Sequence, residues 1–176
     1  LVVDVGGGSA ELSFFQDQQV LAATSLPVGS LNLYKRFVSN LIPTDREMKE
    51  MQREIKQQLR CLALPEEKLP VQPIYGVGGT ARASLALINE KYRIPANNAS
   101  YTCGQLCALL DELTEDPKTL TDRILRSAPD RIHTILPGML IFKTIAKTFG
   151  AKSFVISAYG VREGYLFHVL KEKGVI

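Results

Sequence analysis

The sequence predicts a mixed α/β domain, in the order β-β-β-α-β-α, a helical insertion, and then β-α. Three short apolar segments follow one another closely, at residues 1–5, 9–16 and 18–25, which is typical of an antiparallel meander. Further along, amphipathic helices alternate with short strands, and this alternation favours parallel pairing. The 176 residues are 45% apolar, which is enough for one ordinary domain or two small ones.

Capping signals mark the start of two helices. Thr44 is followed three residues later by Glu47, and Thr102 by Gln105, so each pair can form a capping box. The first helix is expected to run to about residue 63, and the second lies in a helical insertion at about 100–128.

Two further helices complete the second half of the chain. A long helical stretch from Pro129 to Phe149 is expected to be kinked or interrupted at Pro137-Gly138. A final helix follows Gly160 and runs through Leu170, after a strand at residues 154–156.

Composition excludes several classes of protein. The net charge of +3 is too small to indicate a nucleic-acid-binding protein, and no apolar run reaches the roughly 18 residues of a membrane span. Three cysteines favour a reducing compartment, so we expect a cytoplasmic protein without membrane or specific nucleic-acid partners. The chain begins at Leu1, inside a predicted strand, so we expect a fragment that lacks an upstream part.

A glycine-rich segment follows the first predicted strand and carries the strongest chemical signal. Its glycines leave backbone amides bare, permit positive φ and can surround an anion, while a serine adds a hydroxyl. Asp4 and Glu11 flank the segment, and two carboxylates beside a phosphate suit Mg²⁺. On composition alone, a hairpin with solvated carboxylates fits equally well. The candidate phosphate ligands are Gly6, Gly7, Gly8 and Ser9.

A second glycine segment, residues 76–80, is expected to form a loop between a strand and a helix. The helix N-terminus favours an anion there, and the candidate ligands are Gly78, Gly79 and Thr80. Arg82 opposes the helix dipole in the first turn, which phosphate binding would explain, although an exposed arginine is equally compatible. The match to a dinucleotide-binding fingerprint is weak, because no acidic residue follows about 20 residues later. Two such segments together indicate an extended, phosphate-bearing ligand.

Four motifs resemble those of the exopolyphosphatase and guanosine pentaphosphate phosphatase (Ppx/GppA) family, in the family's order. Residues 4–12, D-V-G-G-G-S-A-E-L, are similar to its D-I-G-G-G-S-T-E-L signature, and residues 76–83 to its second glycine motif. Residues 131–138 resemble a segment ending in L-P-G, and residues 157–164 resemble S-x-x-G-L-R-E-G. Ala10 and Ala158 depart from the family pattern, which often has Thr and Asp there.

The resemblance implies the actin-like ATPase (ASKHA) fold, which is ribonuclease H-like, with two α/β domains facing each other across a cleft. Residues 1–176 resemble the second domain, and the first, with the glutamate taken as catalytic base, is expected upstream. The implied activity is release of terminal phosphate from polyphosphate or guanosine pentaphosphate by water. The implied cofactor is Mg²⁺ or another divalent cation, held by Asp4 and Glu11, and Glu11 is the catalytic candidate of this chain. The chain alone is expected to be inactive.

Three alternatives stay open at this stage. The chain can be a non-catalytic module that binds phosphate or nucleotide, half of an actin-like kinase or ATPase, or a mainly structural dimerisation unit, and a homodimer is a possible partner state. Arg162 and Glu163 open the last helix. Their position there favours a structural role, either as an ion pair or as a solvated first turn. His133 and His168 are isolated and fit surface positions better than catalytic ones.

Overall fold

One mixed sheet contains all six strands of the computed structural model, which describes residues 1–17, 19–62 and 71–175. Its order is β3-β2-β1-β4-β6-β5, with β1, β4 and β6 parallel and the other three strands antiparallel to their neighbours. The predicted meander of the first three strands is therefore confirmed. The strands are β1 (Val2–Val5), β2 (Ala10–Gln16), β3 (Gln19–Leu26), β4 (Ile74–Val77), β5 (Ser100–Thr102) and β6 (Ser153–Ile156).

Helices cover the sheet, and both predicted capping boxes are present. The Thr44 amide donates to the Glu47 carboxylate at 2.7 Å, and the Thr102 amide donates to the Gln105 side chain at 2.8 Å. The helices are α1 (Ser30–Phe37), α2 (Asp45–Arg60), α3 (Gly78–Tyr92), α4 (Cys103–Glu115), α5 (Pro117–Ser127), α6 (Ile135–Phe149) and α7 (Val161–Glu172), with a short 3₁₀ turn at Pro129–Arg131.

The expected interruption at Pro137 is wrong. Helix α6 begins only at Ile135, so Pro137 lies in its first turn, where a missing N–H costs no hydrogen bond. The break in the long helical stretch falls earlier, between Arg131 and Ile135. Gly150 ends α6 in a left-handed conformation with φ of 72°, as its position after the apolar run indicates.

Two element boundaries also differ from the prediction. Helix α2 ends at Arg60 rather than near residue 63, because the Cys61 amide turns back to bond Gln58 and Leu59. The predicted insertion begins with β5, which pairs with β6 at the sheet edge and is too short to show a strand pattern. The charged loop predicted at residues 65–70 lies outside the described residues.

Helix α6 is the central element of the core. It packs against α1, α2, α3, α4 and β1, which explains why apolar residues occur all around it. Phe142 of α6 meets Phe154 of β6 edge to face at 5.9 Å, and Tyr101 stacks on the same Phe154 at 4.9 Å. This packing places the starts of α3 and α6 beside the ends of the parallel strands.

Helix α7 contrasts with the rest of the fold, because none of its residues is buried. It nevertheless carries large apolar side chains, of which Val161 is 74% and Tyr165 is 69% exposed. No helix in the described part of the chain is long and apolar enough to cross a lipid bilayer.

Candidate active site

A cleft of about 550 Å³ lies at the carboxyl ends of β1, β4 and β6. Parallel α/β sheets commonly bind ligands at this position, because loops and helix N-termini converge there. Seven of the predicted site residues line the cleft, while Gly8, Ser9 and Glu11 lie outside its lining. The seven are Asp4, Gly6, Gly7, Gly78, Gly79, Thr80 and Arg82.

The first glycine segment is a loop that rests on the N-terminus of α1. The Ser30 amide donates to the Gly6 carbonyl at 2.9 Å, and the Leu31 amide donates to the Gly7 carbonyl at 3.0 Å. These carbonyls satisfy the first amides of α1, whose N-cap, Gly29, has no capping side chain. The positive φ that the glycines would allow is not used at Gly6, Gly7 or Gly8.

The second glycine segment is not a loop. Strand β4 runs through Val77, and α3 begins directly at Gly78 without a side-chain cap. The first amides of a helix have no partner within it, so this junction presents N–H donors at the cleft. Gly78 has a φ of 84°, and an added Cβ there would collide with the Asp4 carboxylate.

Thr80 joins the two glycine segments. Its hydroxyl donates to the Val5 carbonyl at 2.9 Å, and the residue is only 4% exposed. The proton of the Thr80 hydroxyl is therefore used in a hydrogen bond that holds the end of β1 beside α3. The sequence pointed to Thr80 as a phosphate ligand but contained no signal of this tether, which spans 75 residues.

The two predicted acidic ligands, Asp4 and Glu11, are cross-strand partners on β1 and β2. Glu11 accepts hydrogen bonds from the hydroxyls of Ser9 at 2.5 Å and Ser25 at 3.2 Å. Partial burial raises the pKa of Asp4 and the charge of Glu11 raises it further, whereas Arg82 acts in the opposite direction. A cation between the carboxylates would relieve this repulsion.

The magnesium site that the sequence predicts at Asp4 and Glu11 stays a prediction. Mg²⁺ commonly takes one or two carboxylates and completes its shell with water and phosphate oxygens. Residues 1–17, 19–62 and 71–175 contain no cluster of three or more His, Cys, Asp or Glu side chains that could hold a metal. Asp4 and Glu11, as cross-strand partners, are the two carboxylates that could hold such an ion.

Three arginines line the cleft, of which sequence analysis assigned only Arg82 to phosphate binding. Arg131 lies over the start of α3, where a Cβ on Gly79 would collide with its guanidinium. Its acidic neighbour, Asp130, is 3.7 Å away and largely exposed. The sequence pointed to Arg131 only through the resemblance of residues 131–138 to a family motif, which assigned this arginine no function.

Arg162 and Glu163 have different roles at the start of α7. Glu163 accepts a hydrogen bond from the Gly160 amide at 2.7 Å, which caps α7 and lowers the pKa of this carboxyl. The structural role is therefore visible for Glu163, while Arg162 adds a third guanidinium to the cleft.

A second, larger cavity of about 830 Å³ adjoins the cleft and shares Arg82 and Ala158 with it. Its lining is largely apolar, from Leu85 on α3 and Ile94 in the following loop, with Asn97 among its polar groups. No local sequence pattern shows that this loop faces α3.

Comparison with known proteins identifies the family. Residues 1–173 match the sequence model of the Ppx/GppA phosphatase family. The chain belongs to this family. A Haemophilus influenzae protein named "Putative exopolyphosphatase" is 25% identical over 97% of the chain, which covers 52% of that protein.

Solved structures of Ppx/GppA proteins agree with the fold. The Aquifex aeolicus family member matches 97% of this chain at 30% identity with a TM-score of 0.78, and the match covers 56% of that protein. An exopolyphosphatase from Cytophaga hutchinsonii, 19% identical, matches 98% of the chain with a TM-score of 0.79 and shows the fold alone. The predicted actin-like fold is confirmed, and the chain spans about half the length of these relatives.

Proposed function

We propose that this chain is the second α/β domain of a phosphoanhydride hydrolase that releases terminal phosphate from polyphosphate or guanosine pentaphosphate. The observation that carries the proposal is the convergence of Arg82, Arg131 and Arg162 with two amide-donating segments in one cleft. Arginines and free amides bind phosphate oxygens strongly. A cleft that holds Asp4 beside these donors also suits a metal-phosphate complex.

The residues of the chain have distinct tasks in this proposal. The amides of Gly7 and of the Gly78–Thr80 turn bind phosphate oxygens, and the arginines stabilise the charge that develops on the transferred phosphoryl group. Asp4 and Glu11 hold Mg²⁺ or another divalent cation, which would neutralise phosphate charge when bound. Water attacks the terminal phosphorus, the anhydride P–O bond breaks, and the shortened chain leaves with the bonding electrons. The proton of the water passes to a base in the facing domain.

The exposed apolar side chains of helix α7 indicate that a facing domain closes the cleft. Its first residues, Val161 to Glu163, line the cleft, and further along the same helix Tyr165 and Phe167 are 69% and 57% exposed. An exposed apolar surface that continues from a ligand cleft is typical of an interface. Because the relatives are about twice as long as this chain, a second domain of the same protein is the occupant we propose.

Phosphate release from polyphosphate and from guanosine pentaphosphate, with Mg²⁺ and with chelator, tests the hydrolase proposal. The measurement compares this chain with a chain that also carries the upstream part found in its relatives. We expect activity only in the longer protein, with Mg²⁺. Binding of tripolyphosphate without release by either protein would favour a binding module, and release by the short chain alone would place the base within it.

The arginine variants test the cleft itself. Arg131→Ala should weaken tripolyphosphate binding by about tenfold or more, since a charge-assisted hydrogen bond contributes roughly 1.5–3 kcal/mol. Arg53→Ala, on the exposed surface of α2, removes the same charge outside the cleft and should change binding little. Equal effects of the two variants would contradict the assignment of Arg131 to phosphate binding.

The apolar cavity beside the cleft favours guanosine pentaphosphate as a second candidate substrate. It shares Arg82 with the phosphate cleft and is large enough for a nucleoside, so one ligand can occupy both spaces. Ala86→Phe would fill the cavity from the exposed side of α3. We expect it to weaken guanosine pentaphosphate binding and to leave tripolyphosphate binding unchanged; equal affinities before and after the change would exclude this candidate subsite.

A further inference from the structure

Helix α1 holds all three carbonyls of the first glycine segment. The Gly6 carbonyl accepts from both the amide and the hydroxyl of Ser30, at 2.9 and 3.1 Å. The Gly7 carbonyl accepts from the amides of Leu31 and Asn32, both at 3.0 Å. The Gly8 carbonyl accepts from the side-chain amide of Asn32 at 3.1 Å.

Because the peptide bond is planar, the direction of these three carbonyls also sets the direction of the amides that follow them. In a trans peptide, the carbonyl of one residue and the N–H of the next point in opposite directions. Carbonyls 6, 7 and 8 face α1, so the amides of Gly7, Gly8 and Ser9 point away from it. Within the described part of the chain, none of these three amides donates to a protein acceptor.

The three carbonyls differ in what holds them. Backbone amides of α1 bind the Gly6 and Gly7 carbonyls, and any residue except proline would supply those donors, although the Ser30 hydroxyl adds a second bond to Gly6. Among the residues that the structure describes, only a side chain, that of Asn32, donates to the Gly8 carbonyl, and Gly8 is exposed to solvent. Without that bond the Gly8–Ser9 peptide could rotate, because a glycine backbone has little steric restraint.

Helix α1 lies so close to the loop that the short side chain of Asn32 reaches the Gly8 carbonyl. Gly29 precedes α1, and a Cβ on it would collide with the backbone of Gly7 and Gly8. The helix therefore lies against the loop, and Asn32, in its first turn, reaches the last carbonyl.

We propose that Asn32 is a positioning residue, which acts on phosphate through the loop and does not touch the ligand. Its side-chain amide fixes the Gly8–Ser9 peptide, so that the loop keeps its shape and the Gly7 N–H stays available to an anion in the cleft, while Gly8 and Ser9 lie outside the cleft lining. The inference rests on the proposed phosphate-binding function of the cleft. It assigns a task to a residue outside the four family-like motifs.

The test compares Asn32→Leu, which keeps the shape and removes the donor, with the unmodified chain and with Asn40→Leu. Asn40 is exposed, and its side chain makes no hydrogen bond within the described residues, so it is a matched control. Amide resonances of Gly8 and Ser9 are recorded by nuclear magnetic resonance without ligand. Tripolyphosphate affinity and the free energy of unfolding are measured on the same three proteins.

We expect Asn32→Leu to shift the ligand-free Gly8 and Ser9 resonances and to raise the Kd for tripolyphosphate about three- to tenfold. Unfolding should change little, which distinguishes positioning from a general loss of structure. Unchanged resonances, or an unchanged Kd, would overturn the proposal. If the unmodified chain binds no tripolyphosphate, the proposed function fails, whereas the ligand-free resonances still decide whether Asn32 orients the loop.

Discussion

The two glycine segments look alike in sequence but use glycine for different physical reasons. In the first, an added Cβ on Gly7 or Gly8 would meet side chains of α1 at 3.5 and 3.9 Å, which is ordinary contact. In the second, Gly78 has a positive φ and lies against Asp4, and Gly79 lies beneath Arg131. Gly7 and Gly8 therefore have room for a Cβ, although Gly6 is tighter, at 3.3 Å from the Ser9 carbonyl oxygen, whereas Gly78 favours glycine both by its φ and by its contact with Asp4.

The largest expected effect is at Gly78. Gly78→Ala should lower the free energy of unfolding by about 2 kcal/mol or more, because alanine is strained at this φ and its Cβ collides with Asp4. Urea unfolding measures the change. Gly164→Ala serves as the control, since nothing lies within 4 Å of a Cβ there. A loss below about 0.5 kcal/mol would remove the distinction between the two segments.

The tether between the segments gives the next effect. Thr80→Val keeps the shape but leaves the Val5 carbonyl without its hydroxyl donor, so we expect a loss of about 1–3 kcal/mol in urea unfolding. Thr121→Val removes a bond of the same kind that is exposed on helix α5 and should cost little. Equal losses from both changes would show that the buried tether has no special weight.

A smaller effect is expected in the first segment. Gly8→Ala should change the free energy of unfolding by less than about 1 kcal/mol, and in the stabilising direction, because alanine reduces the freedom of the unfolded chain. Chemical denaturation again provides the measurement, side by side with Gly78→Ala. Destabilisation of Gly8→Ala beyond about 2 kcal/mol would mean that this loop, too, needs glycine to fold.

The smallest expected effect on the free energy of unfolding comes from the carboxylate of Asp4. The pKa of Asp4 is raised in the folded chain, so its contribution to stability is complete at low pH and is lost as pH rises through that pKa. Asp4→Asn should therefore be the more stable protein at pH 7, by under about 1 kcal/mol because solvent screens the carboxylate. The difference should vanish near pH 3, below the ordinary aspartate pKa of about 3.9.

Unfolding at several pH values checks this sign, with Asp122→Asn on the exposed surface of α5 as the control. The Glu11→Gln variant sharpens the test, since loss of the neighbouring charge should lower the pKa of Asp4. A greater stability of the unmodified chain at neutral pH would contradict an Asp4 carboxylate that burial and Glu11 disfavour.

Much of the site could be predicted because its signals are local. The glycine segments, Asp4 and the capping boxes depend on residues within a few positions of one another. The second segment was mistaken for a loop, because its glycines resemble a turn while the strand and helix meet there without one. The roles of Arg131 and Thr80 depend on contacts across 50 or more residues, which no local pattern encodes.

Local patterns in the sequence predict the mixed α/β order, the starts of the two helices with capping boxes and two amide-rich segments, because hydrogen bonds between near neighbours specify these features. Tertiary structure alone decided which glycines are required, which arginines meet in the cleft and that α1 holds the first loop by its carbonyls. Packing around α6 brings these distant segments together, and each of their contacts depends on where the backbone of another element lies.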